Sequence, residues 1–340
     1  MKRIILVLAA LSLLAVGASA QPVQLTDFQA AFQTFADDMA GVLAANSTVG
    51  NVWSQAYLGG FPRFGAGLAV GANFVPADSA EPLFAEAGAP LPSELSNLGI
   101  PLPAAALSFK IGLPFLNMDV GVKGGLIPDS AATALASNGV EATYETMGVN
   151  VRYALLKDRL VIPAVSIGAS WNYIKGSAKT GLGLGTQDFE YTVSGSPGYD
   201  GVYTITVTDP DVDLQWEANT FDFTLQVSKN LLIFTPYAGA GFTIGRTAVD
   251  GGMAASVDVY QGATLLDPVA DADVINALEQ AAGVSISDQG FLVNAESNSP
   301  TIRIYGGTSI NILVLKLDFM ASYVPASKSL GAQVMARIQL

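Results

Sequence analysis

The feature that most narrows the folds open to this chain is an alternation of side-chain character with a period of two, repeated from about residue 53 to the end. Phe64, Leu68, Val70 and Phe74 fall on one face of a segment whose other face is Gly65, Gly67, Ala69, Gly71 and Asn73. Met147, Val149, Val151, Tyr153 and Leu155 alternate with Gly148, Asn150, Arg152 and Ala154, and a segment from Leu330 to Leu340 does the same. Successive side chains of a strand point to opposite faces, so each segment reads as a strand with one apolar face. The second face is dominated by Gly, Ala, Ser, Thr and Asn, whereas a solvated sheet face carries more Lys and Glu.

Such segments fall at residues 64–74, 104–113, 116–123, 147–155, 165–173, 220–228, 232–244, 301–311, 313–323 and 330–340. Most are close to the roughly 9–11 residues that a tilted strand needs to cross hydrocarbon. Short links near Pro114-Phe115, at residues 157–159 and 228–230 and near Asn311-Ile312 alternate with long connections at 76–103, 128–142, 174–216 and 250–300. Short turns at one end and long loops at the other are the asymmetry of an outer-membrane barrel. The fold expected is all-β: an antiparallel transmembrane β-barrel of about ten strands. Residues 189–193 and 202–208 read as a hairpin beyond the wall; counted into it, they make twelve.

Composition agrees. Half the residues are hydrophobic and only 13% are charged, against about 25% in an ordinary soluble domain. Lys2 and Arg3, the apolar run Ile4 to Val16 and Ala18-Ser19-Ala20 form a signal-peptide pattern that would be cut before Gln21. The apolar run is shorter than the ~20 residues a spanning helix needs. Cleavage would take the net charge from −13 to −15 by removing Lys2 and Arg3. An acidic chain makes nucleic acid a poor partner. Cys and His are both absent, which removes Ser-His-Asp and thiol chemistry and the usual zinc ligands. No enzyme activity and no cofactor are expected.

Before the strands, residues 25–45 place Phe28, Phe32, Phe35, Met39 and Leu43 on one helical face, with Thr26 as the expected N-cap. The domain division expected is a signal peptide at 1–20, an N-terminal amphipathic helix at 21–50 and the barrel at 51–340. The inward faces carry Lys110, Asp119, Lys123, Arg152, Asp222, Arg303, Lys316, Asp318 and Arg337. These could give a weakly cationic, anion-favouring lumen; a network of ion pairs is the favoured reading, because buried charges need partners. The small inward residues leave volume to fill by water, ligand or plug. The helix is the expected plug, entering or capping the periplasmic mouth; a partner-binding periplasmic helix is the competing reading.

Other clusters carry less. Asp209, Asp211 and Asp213, and Asp267, Asp271 and Asp273, invite a calcium reading, but Leu214 and Thr220 stand where an EF-hand needs Gly and Glu; solvated loop charge is the reading preferred. Residues 267–284 suggest a loop helix that, with Leu83, Phe84, Leu91 and Leu95, could line an apolar vestibule or simply pack the loops together. The Gly-rich run at 180–186 lacks any nucleotide-binding context.

The stretch Tyr57-Leu-Gly-Gly-Phe-Pro-Arg-Phe-Gly-Ala-Gly-Leu-Ala-Val-Gly71, with the strand pattern behind it, resembles small bacterial outer-membrane barrels of the spirochaete type. A helix followed by a barrel is also similar, more weakly, to plugged barrels of the fatty-acid-transporter class, although the chain is shorter and lacks that class's Asn-Pro-Ala plug signature. The expectation is a bacterial outer-membrane protein that passes small, including hydrophobic, solutes through a plugged or gated lumen. The alternative is a non-conducting surface barrel, adhesin-like, that binds partners through long acidic loops. Expected partners are outer-membrane lipid, the barrel-assembly machinery and a small solute or hydrophobic ligand.

Overall fold

A computed structural model describes residues 25–340 apart from 87–90, 92, 128–131, 134–135, 137–139, 182–185, 194–199, 268–270 and 277–290. Helix α1 (Leu25–Asn46) comes first; because it already includes Leu25, Thr26 sits inside its first turn rather than capping it. The strands follow: β1 (Phe64–Val75), β2 (Ile100–Gly112), β3 (Met118–Leu126), β4 (Val140–Leu156), β5 (Ala164–Gly181), β6 (Gln187–Val193) and β7 (Gly201–Ser228). After them come β8 (Tyr237–Gln261), β9 (Thr264–Leu265), β10 (Phe291–Ser297), β11 (Thr301–Ile312), β12 (Leu315–Val324) and β13 (Ser329–Gln339). Helices α2 (Ala77–Glu86) and α3 (Ser93–Ser96) occupy the connection from β1 to β2.

Ten strands form the wall, in the order β1-β2-β3-β4-β5-β7-β8-β11-β12-β13, every pair antiparallel. The ring closes where β13 pairs β1, from Gly65↔Gln339 to Asn73↔Gly331. Closure leaves the wall without an edge, which is what a sheet needs in lipid, where no water can satisfy a free N–H or C=O. The alternation seen in the sequence becomes the two faces: Leu68, Leu107, Val149, Phe223, Ile304 and Val334 are exposed on the outside, while Ala69, Ser108, Asn150, Asp222, Arg303 and Met335 are buried within.

The twelve-strand option is not what forms. Val202–Thr208 is the upper part of β7, and β6 pairs with it above the wall. β7 and β8 run 28 and 25 residues, so parts of the segments expected as loops at 174–216 and 250–300 are strand. Above the apolar belt neither face must be greasy, so the ladder continues where the alternation fades. β10 and β11 lie on β8 in one register, Ser297↔Thr247 and Thr301↔Thr243. They are one strand broken next to Pro300, which has no N–H to give the ladder. Asp209–Asp213 lies within β7 across a register shift. In the later acidic segment, residues 272–276 are helical, and the remainder of the expected loop helix falls outside the described residues.

The helix sits at the end of the barrel opposite to that expected. Thr247 donates to the Ala40 carbonyl at 2.8 Å and Gln33 to the Asn294 carbonyl at 3.2 Å, which places α1 among the tall strands at the long-loop end. There Phe32, Phe35, Met39 and Leu43 pack with Leu83, Phe84, Leu95, Ile174, Leu214 and Val249 in one apolar core, with Leu91 against it. Thus the loop residues that might have lined a vestibule pack the cap. The Phe28 side chain lies outside the described residues. The physical reason is the match of surfaces: among the described residues the long-loop end offers an apolar inner wall, whereas the wall below is lined by buried polar and charged side chains.

Candidate functional site

From Asn46 the chain turns down into the lumen and crosses it to the short-turn end before β1 begins at Phe64. This lumen strap, residues 47–58, is not a regular strand, so its backbone polar groups must be satisfied by the wall. Ten of them bond wall side chains, and the N–H groups nearest Asn46 bond back to the chain just before them. The Lys123 ammonium donates to the carbonyls of Ser47 and Val49, the latter at 2.9 Å. Lys110 donates to the Asn51 carbonyl at 2.8 Å and to the Asn150 side chain at 2.8 Å. Gln226 reaches the carbonyls of Trp53 at 2.8 Å and Ser54 at 3.2 Å, and Arg152 that of Gln55 at 2.7 Å. In the other direction, the Gly50 N–H donates to Gln333 at 2.9 Å, that of Ser54 to Asp318 at 3.2 Å, that of Ala56 to Ser228 at 2.9 Å and that of Leu58 to Asp119 at 3.0 Å.

Three buried ion pairs brace the wall around it. Arg152 grips Asp119 with two hydrogen bonds of 2.8 and 3.0 Å, between residues directly opposite in register. Arg303 grips Asp222 at 3.0 and 2.9 Å. That pair spans β11 and β7 across β8, where Gly241 leaves room: a Cβ there would lie 2.9 Å from the guanidinium carbon. Arg337 bonds Asp318 at 2.8 Å and the Ser54 hydroxyl at 2.7 Å. Buried pairs of this geometry contribute little net stability, but removing one partner strands the other.

Trp53 is the centre of the strap and fully buried. Its indole N–H donates to Ser108 at 3.2 Å, and Arg337 and Lys110 lie 4.8 and 5.5 Å from its ring. A Cβ on Gly65 would come within 2.9 Å of that ring, so the small inward residues are the mould for the indole.

Eight of the nine charged candidates are buried in the lumen: Lys110, Asp119, Lys123, Arg152, Asp222, Arg303, Asp318 and Arg337. Lys316 sits half-covered towards the short-turn end, bonded to Asn311 at 3.2 Å. Sequence reasoning missed the strap. Its residues have no periodicity, and the available signal was the unfilled volume beside Gly65, Gly67 and Gly71. It also missed Gln226, Gln333 and Asn51, amides whose role depends on a strap that had not been placed. The boundary expected at residue 50 falls inside the strap.

At the short-turn end the strap opens into a cavity of about 790 Å³ lined by Gln55, Tyr57, Arg63, Lys157 and Asn230 among others. Beside it Asp158 bonds Lys229 and the Asn230 N–H, the latter at 2.9 Å. Desolvation pushes the Asp158 carboxyl up, but the Lys229 and Asn230 donors outweigh it and hold it below its ordinary value.

Charge is segregated along the barrel axis. Among the described acidic residues, Asp119, Asp222 and Asp318 face the lumen and Asp158 lies in a short turn; the others belong to α1, the upper strands and the long connections. Arg63, Lys157, Arg159, Lys229 and Lys316 all sit at the short-turn end.

No family model and no curated protein matches the sequence. Solved structures do match at low similarity. The outer-membrane protease OmpT from Escherichia coli is 8% identical with a TM-score of 0.36, over 82% of this chain and 95% of that one. The translocator domain of autotransporter NalP from Neisseria meningitidis is 9% identical with a TM-score of 0.29, over 90% and 98%. Ail, the attachment invasion locus protein of Yersinia pestis, is 10% identical with a TM-score of 0.26, over 82% and 98%. These are bacterial outer-membrane β-barrels of unlike activities, and none points to a spirochaete type.

Proposed function

We propose that the protein is an outer-membrane barrel sealed by its own N-terminal segment, which is silent at rest and works through the acidic long-loop end that it displays at the cell surface. The exported-chain pattern and the exposed apolar belt support the location. One observation carries the sealed reading: the strap runs through the lumen with its backbone bonded to the wall from Ser47 to Leu58. Opening would expose those groups together with the apolar cap above them.

A second reading, a gated pore for small solutes, is favoured by one detail. The three Arg–Asp pairs are made within the wall, but Lys110 and Lys123 depend on strap carbonyls, with Asn150 the one wall partner among their described hydrogen bonds. Withdrawal of the strap would leave a wet lumen with five cations and three carboxylates, which would favour anions.

Two measurements decide. Refolded full-length protein in a planar bilayer is expected to show no steady conductance; open channels at rest would overturn the sealed reading. The absence of Cys permits clean labelling of single-Cys variants in whole cells. Ala30→Cys, on the exposed side of α1, is expected to react with a membrane-impermeant maleimide, and Asn117→Cys, in the short turn between β2 and β3, only after permeabilisation. The reverse pattern would reject surface display of the long-loop end.

A further inference from the structure

The short turns break the usual chemistry of tight hairpins. Two-residue hairpin loops favour Asn-Gly, Asp-Gly or a glycine in first place, because the first residue commonly needs a positive φ. Here Leu231 and Phe234 bond each other around Leu232-Ile233, and Ile312 pairs with Leu315 around Leu313-Val314. Leu232 and Leu313 take that first place with φ of 53° and 54°. A third tip, Leu160-Val161, is closed by the Arg159 N–H on the Ile162 carbonyl at 2.9 Å. The same pair, leucine then a β-branched residue, therefore recurs at three separate tips. The leucines are between 94% and 98% exposed, and Phe115, with φ of 62° in the remaining short turn, is wholly exposed.

A backbone conformation that disfavours leucine has been filled with leucine twice, at places where the side chain is almost wholly exposed. Local folding does not account for that choice; an external apolar surrounding does. The lipid-facing wall runs without interruption into these tips through Leu155, Val227, Phe234, Ile312 and Leu315, all exposed. Cations sit beside the tips: Arg159 precedes Leu160, Lys229 stands three residues before Leu232, and Lys316 three residues after Leu313. The turns contain one carboxylate, Asp158, already bonded to Lys229, while Lys157 and Arg159 have no carboxylate partner among the described residues. Apolar residues flanked by cations whose long side chains can reach outward past the tips are the composition of a surface that sits in the acyl boundary and meets phosphate at headgroup level.

We propose that the short-turn rim is an interfacial anchor for anionic phospholipid. The leucine tips and Phe115 insert below the headgroups, and Lys157 and Arg159 bind the phosphates. The barrel then ends flush with the inner leaflet instead of projecting turns into water. This rests on the outer-membrane reading and adds a lipid class and a binding surface to it.

The test uses the full chain folded into nanodiscs of phosphatidylcholine, alone or mixed with phosphatidylglycerol. A polarity-sensitive fluorophore on Leu232→Cys is expected to emit in the blue and to be quenched by brominated acyl chains. Lipid that remains after partial delipidation is expected to be enriched several-fold in phosphatidylglycerol, and a Lys157→Gln/Arg159→Gln variant should return it to the bulk ratio. The triple variant Leu160→Asn, Leu232→Asn, Leu313→Asn places at two of its three sites a residue that accepts positive φ. It should reach the same heat-resistant folded form, but insert several-fold more slowly into anionic vesicles.

Red, unquenched emission overturns the anchor, as does phosphatidylglycerol at the bulk ratio in the unmodified chain. Blue emission that brominated lipid cannot quench means a protein cover, such as a second copy, and overturns it too. Failure to insert into either lipid sinks the outer-membrane reading itself, an outcome distinct from insertion with the tips in water.

Discussion

Asp119→Ala is expected to destabilise the folded barrel by about 3–5 kcal/mol, the range seen when one partner of a buried ion pair is removed. Asp119 is buried and accepts from Arg152 twice and from the Leu58 N–H. Alanine leaves a guanidinium bonded to the Gln55 carbonyl without a counter-charge, and an orphaned strap N–H besides. The measurement is the urea midpoint of vesicle-folded protein, read by the heat-dependent shift on gels. Asp119→Ala/Arg152→Leu should recover at least half the loss, because an apolar replacement removes the stranded charge. If the double variant is as unstable as the single one, the damage lies in the strap contact and not in the ion pair.

Trp53→Ala should cost a similar amount, roughly 3–5 kcal/mol for an aromatic truncated in a packed interior. It should also do something that Asp119→Ala does not. The indole fills the lumen between Gly65, Ser108, Lys110 and Arg337. Its loss leaves a cavity bordered by two cations and a hydroxyl, polar enough to take water. A small, anion-favouring leak in planar bilayers is the expected result. An unchanged urea midpoint together with continued silence would show that the seal is made elsewhere, by the apolar cap of Phe32, Phe35, Met39 and Leu43.

How much of this was legible beforehand divides along physical lines. The wall was, because burial on one face and lipid on the other write a period of two into segments such as Met147 to Leu155. The short turns were placed to within a few residues by where that period paused; the tips Leu232-Ile233 and Leu313-Val314 fall inside segments read as strand, because Leu-Ile and Leu-Val carry no turn chemistry. Helix α1 showed its extent through the spacing of Phe32, Phe35, Met39 and Leu43. Its place at the long-loop end did not show, because a helix does not announce which mouth of a tube is lined with apolar residues; Ile174 and Leu214 supply that lining from a segment read as a loop, and Val249 from beyond the strand read to end at residue 244. The strap was illegible for a different reason. Its bonds are made by backbone groups, which every residue possesses, and its partners are scattered from Lys110 to Gln333.

The strap also bears on the order in which the molecule can be made. The seam that closes the cylinder joins β1 to β13, the first wall strand to the last, so no closed tube exists until the end of the chain has arrived. The strap precedes the first of these strands. The contents therefore precede the container along the chain, and α1, packed against α2, can take its place before the ring closes. In this barrel the filling can serve as the former on which the staves are laid.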